Sequence, residues 1–386
     1  MNPIILKDGK EQKILNFYQW VFWDDIHRPP DNTISPGPVT LLSAKGVFIA
    51  KGFYNPNARI PVKIITLKEE PAEVAIQRKI SIAVEKRKDR QFGRLVFAES
   101  DFLPGIIVDR FGSYLVMQIR LEGYEPFIEN ISDTLIESTG CEGILLRNDF
   151  ETLREKISRR DTQLIYGDVP REPVIIRENN LSFYVDLWAG QKTGYFYDQQ
   201  SNRNSLANLV SPGMNGLDLY TYTGSFALTA AAKGANMVAV DKSEDDILLA
   251  EKNARLNSLE QNVSFVVQDV DTFLRDYKEE VDFIVCDPPG LVKKKSELKR
   301  GQYLLVDILM KSLSLLKKNG WMVVFSCSYL LDYQFMMNTI RIAASKIHSP
   351  VYLKQITVQN PDHPILLQMP ESFYLKGFWI EKGEYV

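Results

Sequence analysis

Two cysteines that each follow an apolar run are the residues best suited to covalent chemistry. In "VVFSCSYLL" (323–331) the apolar run leads to Cys327 between two serines, and in "VDFIVCDPPG" (281–290) Cys286 stands directly before Asp287. A thiolate is a strong nucleophile, but a free cysteine is more often a small buried hydrophobe. Successive side chains of a strand point to opposite faces, so Cys286 is expected to point away from the side of Asp287 and into the packing. Cys141 lies in the middle block, away from both motifs. The pattern predicts Cys327 as the nucleophile, because its flanking serines interrupt an otherwise apolar strand.

Acidic residues mark the ends of the other apolar segments. "GLDLYTY" contains Asp218, "MVAVD" ends in Asp241 and "VSFVVQD" ends in Asp269. Strands that are apolar on both faces and alternate with helices form a parallel sheet covered on both sides, so the C-terminal part is predicted to be doubly wound α/β. Ligands of such sheets lie outside the carboxyl ends of the strands. There Asp241 could accept both hydroxyls of a ribose, and Gly224 would let the backbone approach a ligand closely.

The turn after the first of these strands distinguishes between two classes of nucleoside cofactor. A nicotinamide dinucleotide needs G-x-G-x-x-G, because its pyrophosphate must lie on a helix N-terminus. "YTYTGSF" has one glycine, and Thr221 and Tyr222 crowd the rest of the turn. A ligand without phosphates fits better, so the sequence favours S-adenosylmethionine and a methyltransferase over a dehydrogenase.

The residues after Asp287 bear on which atom is methylated. Enzymes that methylate amino groups commonly carry Asp/Asn-Pro-Pro and then an aromatic residue that stacks on the base, but here Gly290 follows the prolines. Methylation at C5 of cytosine instead requires that a nucleophile first add to C6, for which a thiolate is suited. A cysteine near Asp287 meets that need. Its ordinary pKa of about 8.5 must be lowered, or matched by a base, for reaction at neutral pH.

Bulk properties limit the function classes. A chain of 386 residues is predicted to form two or three domains. Its three cysteines form no C-x-x-C pair, which predicts neither a disulfide framework nor a zinc site and makes a reducing cytosol the default. No apolar stretch approaches the roughly 20 residues that span a bilayer. With a net charge of −3, any affinity for RNA would come from local basic patches.

The N-terminal part has a different pattern from the C-terminal part. The first 70 or so residues read as short strands of a small β-barrel, with turns at glycines and at an Asn-Pro pair. The middle block, to about residue 170, reads as α+β. Its predicted elements are a helix with Val74, Ile76, Ile80, Ile82 and Ala83 on the apolar face, a hairpin turning at Asp109 to Gly112, a helix from Pro126 to Ser138 and a strand from Gly143 to Arg147.

Several motifs together resemble one enzyme family. They are "AESDFLPGIIVDRFG" (98–112), "GQKTGYFYDQQSNR" (190–203), "DLYTYTGSFALTAA" (218–231), "CDPPGLVKKKSEL" (286–298), "FSCSYL" (325–330) and "DHPILLQMPESFYLKGF" (362–378). In this order they resemble the bacterial and archaeal 5-methylcytosine methyltransferases of large-subunit ribosomal RNA. The resemblance implies a PUA-like RNA-binding domain over 1–72, a central EEHEE domain over 73–172 and a Rossmann-like class I methyltransferase domain over 173–386.

The resemblance also implies roles for individual residues. Cys327 corresponds to the catalytic cysteine, and Asp287 to the aspartate that contacts the cytosine edge and stabilises the protonated ring. The residues that match the binding of S-adenosylmethionine are Tyr195, Phe196, Asp198, Asp218, Tyr220, Thr223, Gly224, Asp241, Lys242, Asp269, Val270 and Asp287. Those expected to meet substrate RNA are Lys293, Lys294, Lys295, Asp362, His363 and Tyr374. No residue is assigned to the removal of the C5 proton.

Basic residues are the expected contacts with RNA phosphates. The family commonly has Lys where this chain has Gly290, which leaves the positive charge near the site to "KKKSELKR" (293–300). A second basic run comprises Lys86, Arg87, Lys88, Arg90 and Arg94, for which an exposed helix end is an equal interpretation. The expected partner is large-subunit rRNA or its precursor, with no membrane, and a homodimer is a further expectation because such domains often pair.

Two alternatives remain open from the sequence. One is a guanine-N7 methyltransferase of the same fold, which needs no thiol because N7 is already nucleophilic. The other is an RNA-binding assembly factor with an inactive methyltransferase domain, against which the intact Asp241, Asp287 and Cys327 argue.

Overall fold

The computed structural model describes residues 3–28, 35–149, 162–292 and 294–384. The chain forms two compact units, each built from separate stretches of sequence. The first unit contains 1–176, 185–197 and 362–372, and the second contains 177–184, 198–361 and 373–386. Within the described residues, no helix is both long enough and apolar enough to cross a membrane.

The first part of unit one is a small β-structure. Its described strands pair in the order β2-β6-β5-β4-β1-β3. Alternate residues of β4 are buried, as expected for a strand with one face on a core. The bounds are β1 Ile4–Leu6, α1 Glu11–Leu15, β2 Trp20–Val21, β3 Ile26–Arg28, β4 Gly37–Leu42, β5 Phe48–Tyr54 and β6 Val62–Thr66.

A second sheet with two helices completes the regular structure of unit one. Its described strands pair in the order β11-β10-β9-β8-β7, and α2 and α3 pack with it in one apolar cluster. The bounds are α2 Ala72–Glu85, β7 Phe92–Phe97, β8 Ile106–Phe111, β9 Tyr114–Ile119, α3 Ile128–Thr139, β10 Gly143–Leu146 and β11 Gln163–Gly167. The predicted helices and strands of this α+β block are therefore present.

Three details of the prediction for this block are wrong. The helix α2 buries Ala75, Ile76 and Ile80, but Val74 and Ile82 are 43% and 45% exposed, because they lie on another face of the helix. The hairpin turns at Gly112, which has φ +68°, and Asp109 lies inside β8. The helix predicted from Pro126 begins as α-helix two residues later, after a 3-10 segment.

The second basic run is not a continuous surface track. Arg87 is buried and ion-paired with Asp101 at 3.1 Å. Arg94 is also buried, and its guanidinium forms two hydrogen bonds to Asp109, at 2.5 and 2.9 Å. Buried charges need such partners, so these two arginines stabilise the fold of unit one and are not available to RNA phosphates.

A two-stranded hairpin follows the second sheet of unit one in the sequence. It consists of β12 (Val174–Glu178) and β13 (Leu181–Val185). Asn179 and Asn180 connect the strands with φ of 52° and 67°. Two consecutive left-handed residues are the signature of a tight two-residue hairpin turn, in which asparagine is favoured.

Unit two is the doubly wound α/β structure that the sequence predicts. The bounds are α4 Gln200–Leu209, β14 Asn215–Leu219, α5 Ser225–Ala231, β15 Asn236–Asp241, α6 Glu244–Leu256, β16 Val263–Val267, α7 Val270–Asp276, β17 Val281–Cys286, α8 Leu298–Leu315, β18 Leu316–Ser326, α9 Tyr333–Lys346, β19 Val351–Val358 and β20 Lys376–Lys382. Short 3-10 segments of the chain lie at Trp23–Asp25, Ala98–Asp101, Glu122–Phe127, Tyr197–Gln199, Lys295–Glu297 and Pro370–Ser372.

The strand order of this sheet determines where a ligand can bind. The described strands lie in the order β16-β15-β14-β17-β18-β20-β19. The first five strands are parallel to one another, and β20 runs antiparallel to both β18 and β19. The order reverses on the two sides of β14, which is therefore the topological switch point. The carboxyl ends of β14, β15 and β17 meet beside it.

Candidate active site of the second unit

The turn after β14 is held by the side chain of Asp218. This carboxylate is almost fully buried and accepts hydrogen bonds from the Thr221 hydroxyl at 2.5 Å and from the Ala227 N–H at 3.0 Å. The turn contains two non-glycine residues in the left-handed region, Tyr220 with φ +65° and Tyr222 with φ +53°. Such backbone is strained in L-residues and persists when the surroundings hold it, which is the function of Asp218 here.

Burial also changes the acidity of Asp218. It raises the pKa of this carboxyl to about 7, with the nearby charges of Asp287 and Asp241 acting in the same direction and the two hydrogen bonds opposing it. Between about pH 4 and pH 7 the folded protein therefore retains a proton that the unfolded chain releases. The stabilisation from this group is complete below about pH 4 and is lost as the pH rises to 7.

This shift predicts a specific pH dependence of stability. Asp218→Asn keeps an oxygen that can accept both hydrogen bonds and removes the titration. We expect the wild type to lose up to about 3 kcal/mol of unfolding free energy from this group between pH 5 and pH 8, and the variant to lose none of it. Urea unfolding at several pH values measures the difference. Asp282→Asn is the control, because the Asp282 pKa is lowered and its titration lies below this range. Parallel pH profiles for wild type and Asp218→Asn would contradict the prediction.

Two acidic strand ends lie beside this turn. Asp241 accepts hydrogen bonds from the N–H of Tyr222 at 3.0 Å and of Ser243 at 3.1 Å, one on each carboxylate oxygen. A carboxylate has about four lone-pair positions, so each oxygen can still accept a ribose hydroxyl. Asp269 is exposed and caps α7 by accepting from the N–H groups of Asp271 and Thr272. Its position fits both the structural interpretation of a helix cap and the predicted cofactor contact.

Other predicted cofactor contacts also lie around the turn. Thr223 is buried, and its carbonyl accepts from the Asn253 side chain at 3.1 Å. Gly224, with φ +85°, precedes α5, and an added Cβ would lie 3.2 Å from that of Ala250. Burial raises the pKa of the half-buried Tyr220, so its hydroxyl remains neutral. Lys242 is exposed and Val270 is buried. The turn offers a single glycine in YTYTGSF, so it lacks the glycine-rich backbone that a pyrophosphate needs and suits a nucleoside without phosphates.

Asp287 is oriented by a residue that the sequence analysis did not single out for this role. Gln199 donates a hydrogen bond from Nε2 to Oδ2 of Asp287 at 2.8 Å, and its own Oε1 accepts from Asn202 at 2.6 Å. Gln199 is 2% exposed and Asn202 is fully buried, so their amides hold one orientation. The Asp287 N–H also donates to the Leu219 carbonyl at 3.3 Å, which ties this residue to the end of β14.

The prediction for the cysteines agrees with their burial. Cys286 is fully buried in the apolar cluster of the large sheet, and burial raises its pKa well above the ordinary value. Cys141 is buried in the core of unit one, where burial raises its pKa as well. Cys327 is partly exposed. Of the three thiols, Cys327 is therefore the one that a ligand in unit two could reach.

Cys327 opens into a cleft next to Asp287. We call it the thiol cleft. Its lining consists of Pro288, Pro289, Gly290, Leu291, Leu305, Phe325, Ser326, Cys327, Ser328 and Leu331. A methyl group added to Gly290 would lie 3.8 Å from the Cys327 sulfur. The Ser328 hydroxyl donates to the Val292 carbonyl at 3.1 Å, which joins the two loops that form the walls. The prolines after Asp287 and the Cys327 thiol thus share one cavity.

The predicted substrate residues are in different environments. Tyr374 donates from its hydroxyl to Asp198 at 2.6 Å, so two predicted site residues pair within unit two. Lys294 and Lys295 are exposed, with Lys294 Nζ 3.7 Å from a Glu297 carboxylate oxygen. Lys293 lies outside the described residues. The exposed lysines before α8 are consistent with a contact to phosphates.

Four predicted residues belong to unit one. Tyr195 is buried and Phe196 is half-buried, with the Lys192 ammonium 4.6 Å from the Phe196 ring centre. Asp362 and His363 are both 2% exposed, with 2.7 Å between Asp362 Oδ1 and His363 Nδ1. The Arg94 N–H donates to Asp362 at 3.1 Å. The Asp362 pKa falls to about 2, because hydrogen bonds and nearby positive charge outweigh burial, which alone would raise it. Both side chains are thus buried and paired within unit one, and their contact with substrate stays a prediction.

The sheet with its reversed order at β14, the acidic strand ends and the glycine-poor turn define a class I methyltransferase fold. Two family models match the sequence: a PUA-like domain over residues 4–67 and a methyltransferase domain over residues 210–364. The crystal structure of SMU.776, described as a methyltransferase and complexed with S-adenosylhomocysteine, covers 99% of this chain and 100% of its own at a TM-score of 0.85 and 21% identity. A methyltransferase from Streptococcus mutans covers 98% and 100% at a TM-score of 0.82 and 22% identity. At these identities the likeness establishes the fold.

Curated relatives establish the family. Ribosomal RNA large subunit methyltransferase I of Aeromonas hydrophila is 33% identical over 388 residues, which cover 97% of this chain and 98% of the relative. The protein of the same name from Shewanella denitrificans is 34% identical over 389 residues with the same coverage. This chain belongs to the ribosomal RNA large subunit methyltransferase I family. The resemblance drawn from the motifs is thereby confirmed.

Proposed function

We propose that this protein transfers a methyl group from S-adenosylmethionine to C5 of a cytosine in large-subunit ribosomal RNA, and that Cys327 forms a covalent adduct at C6 during the reaction. One observation carries this proposal. The partly exposed thiol of Cys327 lines the same cleft as the loop that follows Asp287, while Cys286 and Cys141 are buried. Methylation of guanine N7 would need no thiol at that position.

The cofactor would be held at the carboxyl ends of β14 to β17. Asp241 would accept the ribose hydroxyls, and the turn from Tyr220 to Gly224, kept in shape by Asp218, would contact the methionyl part. Tyr195, Phe196, Asp198, Lys242, Asp269 and Val270 are proposed as further contacts. When bound, S-adenosylmethionine supplies an electrophilic methyl group on a positively charged sulfur.

The side chains of the cleft would activate the cytosine. The Cys327 thiolate forms a bond to C6, and the electron pair of the C5–C6 double bond moves toward C5, which becomes nucleophilic. Asp287, oriented by Gln199, binds the polar edge of the ring and stabilises its protonated form. After methylation, loss of the C5 proton to a base restores the double bond and expels the thiolate. The free thiol is thus regenerated in each cycle.

The remaining parts of the chain would bind the RNA. We propose a PUA-like RNA-binding domain over 1–72, an EEHEE domain over 73–172 and the methyltransferase domain over 173–386. Lys294 and Lys295, together with Lys293, are proposed to contact phosphates near the target nucleotide, and Tyr374 to position the substrate through Asp198. A reducing cytoplasm would keep the Cys327 thiol free for the reaction.

Analysis of the modified nucleoside tests the proposed function. Large-subunit RNA lacking the modification is incubated with the protein and S-adenosylmethionine carrying a labelled methyl group, then digested to nucleosides and analysed by mass spectrometry. We expect the label in 5-methylcytidine. Label in 7-methylguanosine would support the guanine alternative, and cofactor binding without transfer to any RNA form would support the assembly-factor alternative.

A further inference from the structure

A buried lysine lies directly beside Cys327. Lys376 is the first residue of β20 and is 4% exposed. Its backbone lies opposite Ser326 in the antiparallel pairing of β18 and β20. Its Nζ donates to the carbonyl of Ser328 at 3.2 Å and to that of Tyr374 at 3.3 Å. Lys376 therefore contacts the residues on both sides of Cys327 in the sequence.

The ammonium group of Lys376 has no counter-charge in direct contact. Both of its hydrogen-bond partners are neutral carbonyls, and it forms no ion pair with any carboxylate among the residues that the structure describes. Burial lowers the pKa of Lys376, and the negative charges that oppose this effect are those of Asp332, at the start of α9, and of the Cys327 thiolate. A cation held in low dielectric interacts strongly with a nearby anion.

The described residues on the opposite wall of the thiol cleft place no positive charge next to the sulfur. The opposite wall of the thiol cleft is formed by the residues that follow Asp287 in the sequence, and the side chain of Asp287 is itself acidic. Gly290, next to the sulfur on that wall, has no side chain. Lys294 and Lys295 are exposed on the loop that follows, where solvent screens their charge. In the part of the chain that the structure describes, Lys376 on β20 is thus a buried cation close to Cys327.

We propose that Lys376 is a positioning residue that holds its ammonium charge beside the Cys327 sulfur and thereby keeps this thiol ionised at neutral pH. The proton of the thiol passes to solvent, and no other bond changes. The inference rests on the proposed function only in assigning the thiolate to attack on cytosine C6. The ionisation itself can be measured without RNA or cofactor.

Alkylation of Cys327 by iodoacetamide at several pH values provides that measurement. The rate for the Cys327 peptide, followed by mass spectrometry in the full-length protein, reports the thiolate fraction. We expect Lys376→Met, which keeps the apolar stem, to raise the midpoint of the alkylation profile by about one pH unit and to slow alkylation at pH 7 by up to about fivefold. Lys376→Arg retains the charge and should retain the wild-type midpoint. Equal midpoints in wild type and Lys376→Met would overturn the proposal.

Two further measurements separate this effect from loss of structure. The buried Cys286 and Cys141 should stay unlabelled in every folded variant, so their labelling reveals unfolding. Asp332→Asn removes the other charge that faces Lys376, while asparagine can still cap α9. We expect this variant to lower the Cys327 midpoint. If Lys376→Met does not fold, an unchanged or raised midpoint in Asp332→Asn overturns the proposal by itself.

The failure of this inference and that of the proposed function give different results. If both hold, Lys376→Met forms 5-methylcytidine more slowly at pH 7 and recovers much of the rate at higher pH, where the thiol ionises without help. The expected alkylation shift in a protein that never forms 5-methylcytidine supports the role of Lys376 and rejects the proposed function. Normal 5-methylcytidine formation with an unshifted alkylation profile rejects the role of Lys376 alone.

Discussion

Cys327→Ala is expected to lose at least about a thousandfold in methyl transfer and all covalent capture of the substrate, because C5 of cytosine stays a weak nucleophile without an adduct at C6. The measurement uses large-subunit RNA that contains 5-fluorocytosine. Fluorine at C5 cannot leave as a proton does, so the adduct remains trapped and shifts the protein on a denaturing gel. Peptide mass spectrometry then locates the modified residue.

Cys286→Ala is the matched control for this experiment. Both cysteines lie at or just beyond a strand end of the large sheet, but Cys286 is fully buried and Cys327 lines the thiol cleft. The Cys286 variant loses one buried sulfur, which costs some stability, and should still form the adduct. An adduct mapped to Cys286, or one that persists in Cys327→Ala, would contradict the assignment of the nucleophile.

Asp287→Asn is expected to reduce kcat by about a hundredfold to ten-thousandfold, with a smaller change in KM. In the proposed reaction the negative charge of Asp287 would stabilise the ring as positive charge develops on it, and a neutral amide of the same shape would not. Gln199→Ala, which removes the 2.8 Å hydrogen bond to Asp287, should have a smaller effect in the same direction, because it loosens the orientation of the carboxylate. Single-turnover rates of methyl transfer measure both losses.

Asp282→Asn provides the comparison for the aspartate. It lies near the start of β17, the strand that ends just before Asp287, and its carboxylate accepts from the Asn215 N–H and from Lys317. Removal of this charge should affect stability slightly and leave the rate of methyl transfer unchanged. A rate for Asp287→Asn equal to that of Asp282→Asn would exclude a catalytic charge at position 287.

The parts of the fold that follow from local patterns could be predicted from the sequence. Apolar strands separated by helices gave the doubly wound domain, and the acidic strand ends were found together at the switch point because parallel strands share a carboxyl edge. The contrast between Cys286 and Cys327 was also predictable, since burial along a strand follows the alternation of its side chains. In each case, neighbours in the sequence determine the environment.

Contacts between distant residues were not predictable in this way. Arg87 and Arg94 looked like part of a basic track, but their partners Asp101 and Asp109 lie 14 and 15 residues away. Val74 and Ile82 fit a helical repeat, yet α2 turns another face to the core. Lys376 stood in a quoted motif without an assigned role, because only the pairing of β18 with β20 brings it beside Cys327. A single sequence contains no signal for such pairings.

The way the chain alternates between the two units bears on how this protein can be divided. It passes from one unit to the other after Ile176, Tyr184, Tyr197, Pro361 and Ser372. A polypeptide that starts at residue 173 would therefore carry two segments, 185–197 and 362–372, whose packing partners had been removed. Met369, for example, is fully buried and its sulfur accepts a hydrogen bond from the Gln19 N–H at 3.1 Å. The methyltransferase part is thus not a transferable module, and an exchange of domains between family members would have to replace these two segments together with the N-terminal half.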